Sequence, residues 1–138
     1  MDLATAVQIT DVSTGWFDSG IVDGQNKLVP SVTFRLKNAS GERLRSVQLN
    51  TVFMLLPENE EWDATLTQGI SAAGLEAGAS TNPITVRGKV GFTGAQPRAE
   101  MMQHRLFKDV DARIFAKHGS AQWVRLGEYR VARQLLTR

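Results

Sequence analysis

The stretch from Val32 to Leu55, VTFRLKNASGERLRSVQLNTVFML, decides the fold class of this chain. Apolar and polar residues alternate on both sides of the polar segment NASGERL, a period of two that is typical of strands with one buried face. The segment itself offers Asn38, Ser40 and Gly41, which turns use for side-chain-to-backbone bonds and for positive φ. The stretch therefore predicts two strands joined as a hairpin.

The same alternation recurs along the rest of the chain, with turn residues between the apolar runs. It predicts a first strand in LATAVQITDV, an edge strand after Pro57, a strand in PITVRGKVGF with a bend or close backbone approach at its glycines, and two closing strands around the turn KHGS. A phase slip at Gly127 is typical of a β-bulge. The glycine-containing segment STGWFDSGIVDGQNK is expected to be irregular, and QPRAEMMQHRLF to form one short helical connector.

About seven strands with almost no helix predict an all-β protein. The fold that we expect is an immunoglobulin-like antiparallel β-sandwich, formed by residues 1–138 as a single domain. A small closed barrel is the alternative.

Composition narrows the class of protein. The chain has 138 residues, of which 42% are hydrophobic and 22% charged, as is typical of one globular domain. It contains no cysteine, which excludes thiol catalysis, disulfides and thiolate metal sites. It opens without the pattern of a secretory signal. That opening is expected of a cytoplasmic protein and equally of a domain separated from its leader or anchor.

Charge is unevenly distributed along the chain. Residues 1–94 contain 7 Lys and Arg against 10 Asp and Glu, whereas residues 95–138 contain 9 against 4. The closing strands carry a predicted basic face of Arg113, Lys117, Arg125 and Arg130. Such a face either attracts an acidic partner or consists only of solvated charges. Nucleic-acid binding is not expected, because no dense basic stripe with interleaved aromatic residues is present.

Candidates for catalysis and metal binding are few. His104 and His118 are the only histidines, and no serine nucleophile motif or phosphate-binding glycine loop accompanies them. The run ENEEWD, residues 58–63, has carboxylate oxygens without the spacing of a calcium loop, so a solvated acidic loop is favoured. We therefore expect no enzyme activity, no cofactor and no metal site.

Aromatic and apolar residues offer the candidate binding surfaces. Trp16 and Trp62 are predicted in or beside loops, where they would bind a glycan or peptide by stacking, or else would cover the ends of the core. Val52 and Met54 place apolar atoms on the outward side of their strand. A strand that is apolar on both sides is central and covered, or part of an interface, which indicates a protein partner.

The segment SVTFRLKNASGERLRSVQLNTVFML, followed by GLEAGAST, resembles the extracytoplasmic bacterial domains of the FxLYD family. The similarity spans roughly Val29 to Val90. Within VFMLLPENEEW, Phe53 and Leu55 match the family signature, while Leu56 and Pro57 stand where the family has tyrosine and aspartate.

The resemblance implies a location in the periplasm or on the cell surface, near the membrane through an anchor outside this chain, with the cytoplasm as the alternative. It implies no particular functional residues. The function that we expect is a non-catalytic interaction or scaffold module of the bacterial cell envelope, with another protein as its partner. A carbohydrate- or small-ligand-binding β-sandwich module is the alternative.

Overall fold

Two β-sheets face each other across one apolar core in the computed structural model, which describes residues 2–136. In chain order the elements are α1 (Leu3–Ala6), β1 (Val7–Val22), β2 (Gln25–Asn38), β3 (Val47–Leu55), β4 (Glu60–Ile70), β5 (Ile84–Arg87), β6 (Phe92–Gly94), α2 (Arg98–Met101), β7 (Val110–His118), β8 (Val124–Arg130) and β9 (Leu135–Leu136). Neither helix of this described part is long and apolar enough to span a membrane.

The strand order is that of an immunoglobulin-like sandwich, which confirms the predicted fold. One sheet has the order β5–β2–β1–β9, with β6 also paired to β2, and the other has the order β4–β3–β7–β8. All pairs are antiparallel except the short pair of β1 with β9. Unlike the fourth strand of a constant-type immunoglobulin domain, β4 stays in the sheet of β3.

Strand β1 is longer than the sequence predicts. The segment STGWFDSGIVDGQNK is not irregular, because β1 continues through Val22 and a tight turn then leads into β2. The turn residues Asp23 and Gly24 have φ of 52° and 77°, the two positive values of a two-residue hairpin turn. Irregularity is confined to register shifts in the ladder. The predicted first strand also begins later, because residues 3–6 form α1.

The connection from β2 to β3 is not a hairpin, which corrects the prediction for NASGERL. The two strands lie in different sheets, and the buried side chain of Asn38 organises the crossing between them. Its Nδ2 donates to the carbonyls of Glu42 at 2.8 Å and Leu75 at 2.9 Å. Its Oδ1 accepts bonds from the backbone N–H and the hydroxyl of Ser40 at 3.0 and 2.6 Å. The polar residues therefore supply the hydrogen bonds that hold the connection between the two sheets.

We expect the substitution Asn38→Ala to lower the free energy of unfolding by about 2–3 kcal/mol, because it leaves several buried polar groups without partners. Urea denaturation measures this loss. Asn82→Ala is the matched control, since Asn82 is exposed, and it should change stability by less than about 0.5 kcal/mol. Equal effects of the two substitutions would contradict the role of Asn38.

Lys89 covers part of the free edge of β4, which lies at the edge of its sheet as predicted. The Lys89 Nζ donates to the Ala64 carbonyl at 3.3 Å, and the Lys89 backbone N–H donates to Asp63 Oδ2 at 2.5 Å. A lysine at a strand edge opposes pairing with another chain. Of the bend or close backbone approach predicted at the glycines, the close approach is confirmed, since a Cβ on Gly91 would lie 2.1 Å from the Leu28 carbonyl oxygen.

The carboxyl of Asp63 makes the stability of this edge depend on pH. Burial raises the pKa of the Asp63 carboxyl, but the backbone N–H and the ammonium of Lys89 lower it more, so that the pKa lies below its ordinary value of 3.8. A carboxyl with a lowered folded-state pKa stabilises the fold above its unfolded pKa, and this contribution disappears as pH falls through the folded pKa.

Accordingly, Asp63→Asn should cost about 1–2 kcal/mol at neutral pH, where the charged hydrogen bond is lost. The cost should shrink as the pH falls below about 4. Thermal unfolding between pH 7 and pH 2.5 tests both points. Asp23→Asn is the control, because Asp23 lies in the exposed hairpin turn. A cost for Asp63→Asn that stays constant down to the lowest pH would contradict the assignment.

Candidate functional site

The tryptophans Trp16 and Trp62 belong to the core, so their predicted loop positions are wrong. Trp16 lies inside β1 with 0% exposure, and Trp62 lies half-buried in β4. The Trp16 ring centre is 4.5 Å from that of Phe107, 5.7 Å from Phe92 and 6.2 Å from Trp62. These four residues form the aromatic cluster, which joins both sheets and the connector after α2. Of the two roles predicted for these tryptophans, the structure supports the covering of the core.

Intrinsic fluorescence distinguishes the buried from the accessible indoles. Trp123 is 38% exposed, whereas Trp16 has no exposed surface. Trp123→Phe should therefore remove most of the emission that acrylamide quenches, and Trp16→Phe should leave that accessible fraction almost unchanged. Stern–Volmer plots of the two variants provide the measurement. Strong quenching that disappears with Trp16→Phe would show that the aromatic cluster is open to solvent.

The four predicted cations do lie on one surface, the side of the sheet β4–β3–β7–β8 that points away from the core. We call this surface the outer face. Strand register places on it Ala64, Leu66 and Gln68 from β4, Gln48, Asn50, Val52 and Met54 from β3, Asp111, Arg113, Phe115 and Lys117 from β7, and Trp123, Arg125, Glu128 and Arg130 from β8 and the residue before it. The register shift opposite Ile114 and Phe115 confirms the predicted bulge at Gly127.

Each of these cations has a partner within the protein. Arg113 Nε donates to Glu128 Oε2 at 2.5 Å, and Arg125 lies 3.0 Å from the same oxygen. Arg130 Nε donates to Asp111 Oδ1 at 2.5 Å, a bond that raises the pKa of Arg130 above its ordinary value. Lys117 Nζ lies 5.5 Å above the Trp123 ring centre. Three of these cations therefore form ion pairs, but the four together share only the two outer-face carboxylates of Glu128 and Asp111, so the outer face keeps a net positive charge.

Apolar side chains lie on the outer face on both sides of Asn50, from the edge strand β4 to β7. Leu66 is 71% exposed, and the half-buried Phe115 lies across β3 from it. Val52 and Met54 are only 8% and 9% exposed, because the surrounding side chains cover them. The sequence pointed to Val52 and Met54 but missed Leu66 and Phe115, because only the register of three strands brings those two side chains to one patch.

A second surface feature lies at the end of the sandwich where β3 ends and β7 begins. It is an open groove of about 600 Å³, which we call the basic groove. Its lining combines apolar and basic residues with one acidic residue: Leu56, Pro57, Arg105, Phe107, Lys108, Asp109, Arg130 and Arg133. Of these, only Arg130 was a predicted site residue. The others lie on three segments that the sequence places far apart.

Neither histidine pairs with a carboxylate among residues 2–136. His104 Nδ1 accepts a bond from the Leu106 backbone N–H at 3.2 Å. Residues 2–136 contain no group of three or more His, Asp and Glu side chains able to hold a metal ion. The acidic run 58–63 is not the predicted solvated loop, because residues 60–63 belong to β4. Glu58 pairs with Lys108 and Asp63 with Lys89, so these two carboxylates have separate partners.

The protein is thus a β-sandwich with two candidate surfaces: the outer face, which carries apolar side chains and ion pairs, and the basic groove.

No family model matches the chain, and no curated protein matches it. Among the solved structures with a similar fold are three that cover most of this chain. The X-ray structure of Northeast Structural Genomics Consortium target SoR45 has a TM-score of 0.53 at 11% identity, with 95% of this chain and 89% of that chain covered.

The second is a Bordetella pertussis protein provisionally described as ApaA, with a TM-score of 0.50, 13% identity, and 92% and 93% of the two chains covered. The third is a calcium-binding mutant of Bacteroides uniformis β-glucuronidase 2, with a TM-score of 0.50 and 12% identity. There the match covers 89% of this chain and 12% of the enzyme chain. At such low identity these similarities show the all-β sandwich fold alone.

Proposed function

We propose that this chain is a non-catalytic interaction module of the bacterial cell envelope that binds another protein through the outer face. One observation carries the proposal: the sheet β4–β3–β7–β8 has apolar side chains on both sides. Its inner side packs on the core, and its outer side presents Leu66, Phe115 and Trp123. A sheet face of this kind is normally covered, and nothing in the described chain covers it.

The composition of the outer face suits a protein surface. Protein interfaces combine an apolar centre with a polar rim, and aromatic and arginine residues dominate their binding energy. Here Leu66 and Phe115 supply the apolar part, while Arg113 and Arg125 share the single carboxylate of Glu128. Because one carboxylate cannot neutralise two arginines, the partner that fits this face has a flat, largely apolar surface with an acidic border.

A glycan-binding role receives less support from the same surface. Of the three tryptophans, Trp16 is fully buried and Trp62 is engaged in the aromatic cluster. Only Trp123 offers an accessible indole, and Lys117 lies over its ring. Sugar stacking needs a free aromatic face. The protein partner is therefore the stronger candidate.

The envelope location rests on the resemblance to FxLYD domains. Fractionation of cells that express the whole gene tests it separately from binding. Release of the protein with the periplasmic or membrane fraction would support the proposal, and recovery with cytoplasmic markers would overturn the location.

Site-specific photo-crosslinking tests the binding surface. Leu66 is replaced by p-benzoylphenylalanine in the full-length gene and the cells are irradiated. Ile21, at the tip of the β1–β2 hairpin, is the matched control position, since it is 70% exposed against 71% for Leu66. We expect a discrete heterologous adduct from position 66 and none from position 21.

The adduct alone is not sufficient. The cross-linked protein, once purified, should bind the wild-type chain, and Leu66→Lys should weaken that binding by about tenfold or more, as expected for a central interface residue. Ile21→Lys should leave the affinity within about twofold. Adducts at both positions, or equal affinities of the two variants, would contradict an interface on the outer face.

A further inference from the structure

The basic groove carries an inference that is independent of the outer face. We propose that it binds an organic carboxylate attached to an apolar body. Its volume of about 600 Å³ lies within the range of small-ligand sites. Its lining has an apolar part, formed by Leu56, Pro57 and Phe107, which we call the floor, and a charged part, which we call the rim. The chemistry of these two parts indicates the class of ligand.

The floor of the groove is apolar. Leu56 and Pro57 follow the end of β3, and Phe107, which is 5% exposed, presents an edge of the aromatic cluster. The Leu56 backbone N–H is bonded to the Asp109 carbonyl at 2.9 Å, which ties the floor to the segment leading into β7. The floor therefore has a fixed position and offers contact for a hydrocarbon or aromatic body.

Arg133 forms a fixed part of the rim. Its Nε donates to Asp109 Oδ1 at 2.8 Å, and its two terminal nitrogens donate to the carbonyls of Met102 at 2.7 Å and Phe107 at 2.9 Å. The guanidinium also lies 5.2 Å from the centre of the Phe107 ring. A cation held by this many bonds is oriented before any ligand arrives, which reduces the entropic cost of binding.

Free positive charge at the groove comes from Arg105. Each carboxylate nearby is already engaged: Glu58 with Lys108, Asp111 with Arg130, and Asp109 with Arg130 and Arg133. Arg105 is exposed and has no ion-pair partner within residues 2–136. The groove thus has four cations on its rim and one planar guanidinium available for bidentate binding of a carboxylate.

The apolar floor separates this class of ligand from inorganic anions. A phosphate or sulfate would use the rim but leave the floor exposed, whereas a carboxylate with an aromatic or branched aliphatic body uses both. Two sources supply this chemistry, namely a free small acid and the carboxyl end of a peptide with an apolar last residue.

Chemical-shift mapping on the ¹⁵N-labelled chain tests the inference. The probe is N-acetylphenylalanine, with the uncharged N-acetylphenylalaninamide as its matched control ligand. We expect the carboxylate to shift the amide signals of Leu56 and of Phe107–Asp109 with a Kd of about 0.1–1 mM, a normal affinity for a small fragment. The amide should bind at least about tenfold more weakly. A hexapeptide with a free carboxyl-terminal Phe, and its amidated form, distinguish the two sources.

Arg105→Gln should weaken binding of N-acetylphenylalanine by about tenfold, because it removes the unpaired charge. Arg105 is exposed and forms no ion pair within residues 2–136, so the variant should keep its native spectrum. Arg45→Gln, at an exposed arginine beyond the opposite end of β3, is the control. Equal binding of acid and amide, absence of binding by both acids, or equal affinities of the two variants would overturn the inference. None of these results depends on Leu66, so the outer-face proposal is tested independently.

Discussion

Burial of Trp16 is the constraint on which the rest of the architecture depends. Its ring fixes β1 against Phe107 of the connector and brings β4 and β6 to the same place through Trp62 and Phe92. Aromatic contacts of this kind contribute beyond the area that they bury. Because Phe107 also supports Arg133, the same cluster positions one side of the basic groove. Core packing and a candidate ligand surface thus share one set of residues.

Alternation in the sequence reports which side of a strand is buried, and for that reason it predicted the sandwich, the edge position of β4 and the bulge at Gly127. It does not report which strand lies alongside. The crossing at Asn38 was therefore mistaken for a hairpin, since turn residues and inter-sheet crossings use the same polar side chains. Strand β1 was missed in part because pairing with β2 overrides the weak strand preference of its Gly- and Asp-containing segment.

The candidate surfaces were predictable to different degrees. Arg113 and Lys117 share a face because they are four residues apart in β7, whereas Arg125 and Arg130 are five apart and share it only because of the bulge at Gly127. Local sequence shows both the spacing and the phase slip, so this grouping was predictable. The pairing of Arg113 with Glu128 and of Arg130 with Asp111 depends on cross-strand register, which one sequence does not reveal. Leu66, Phe115 and the rim of the groove come from segments distant in the chain. Since one fold serves many functions, these side chains, and not the sandwich itself, carry the functional argument.

Hydroxyl-radical footprinting shows whether a partner covers the outer face. Oxidation rates of Leu66, Phe115 and Trp123 would be compared between the purified chain and the protein in its native cells, with Ile21 as an internal reference of similar exposure to Leu66. If a partner covers the outer face, the three outer-face residues are oxidised more slowly in cells than in the purified chain, while Ile21 keeps its oxidation rate. Unchanged rates at all four positions would mean that the outer face is bare in its native setting, and the interaction proposal would be wrong.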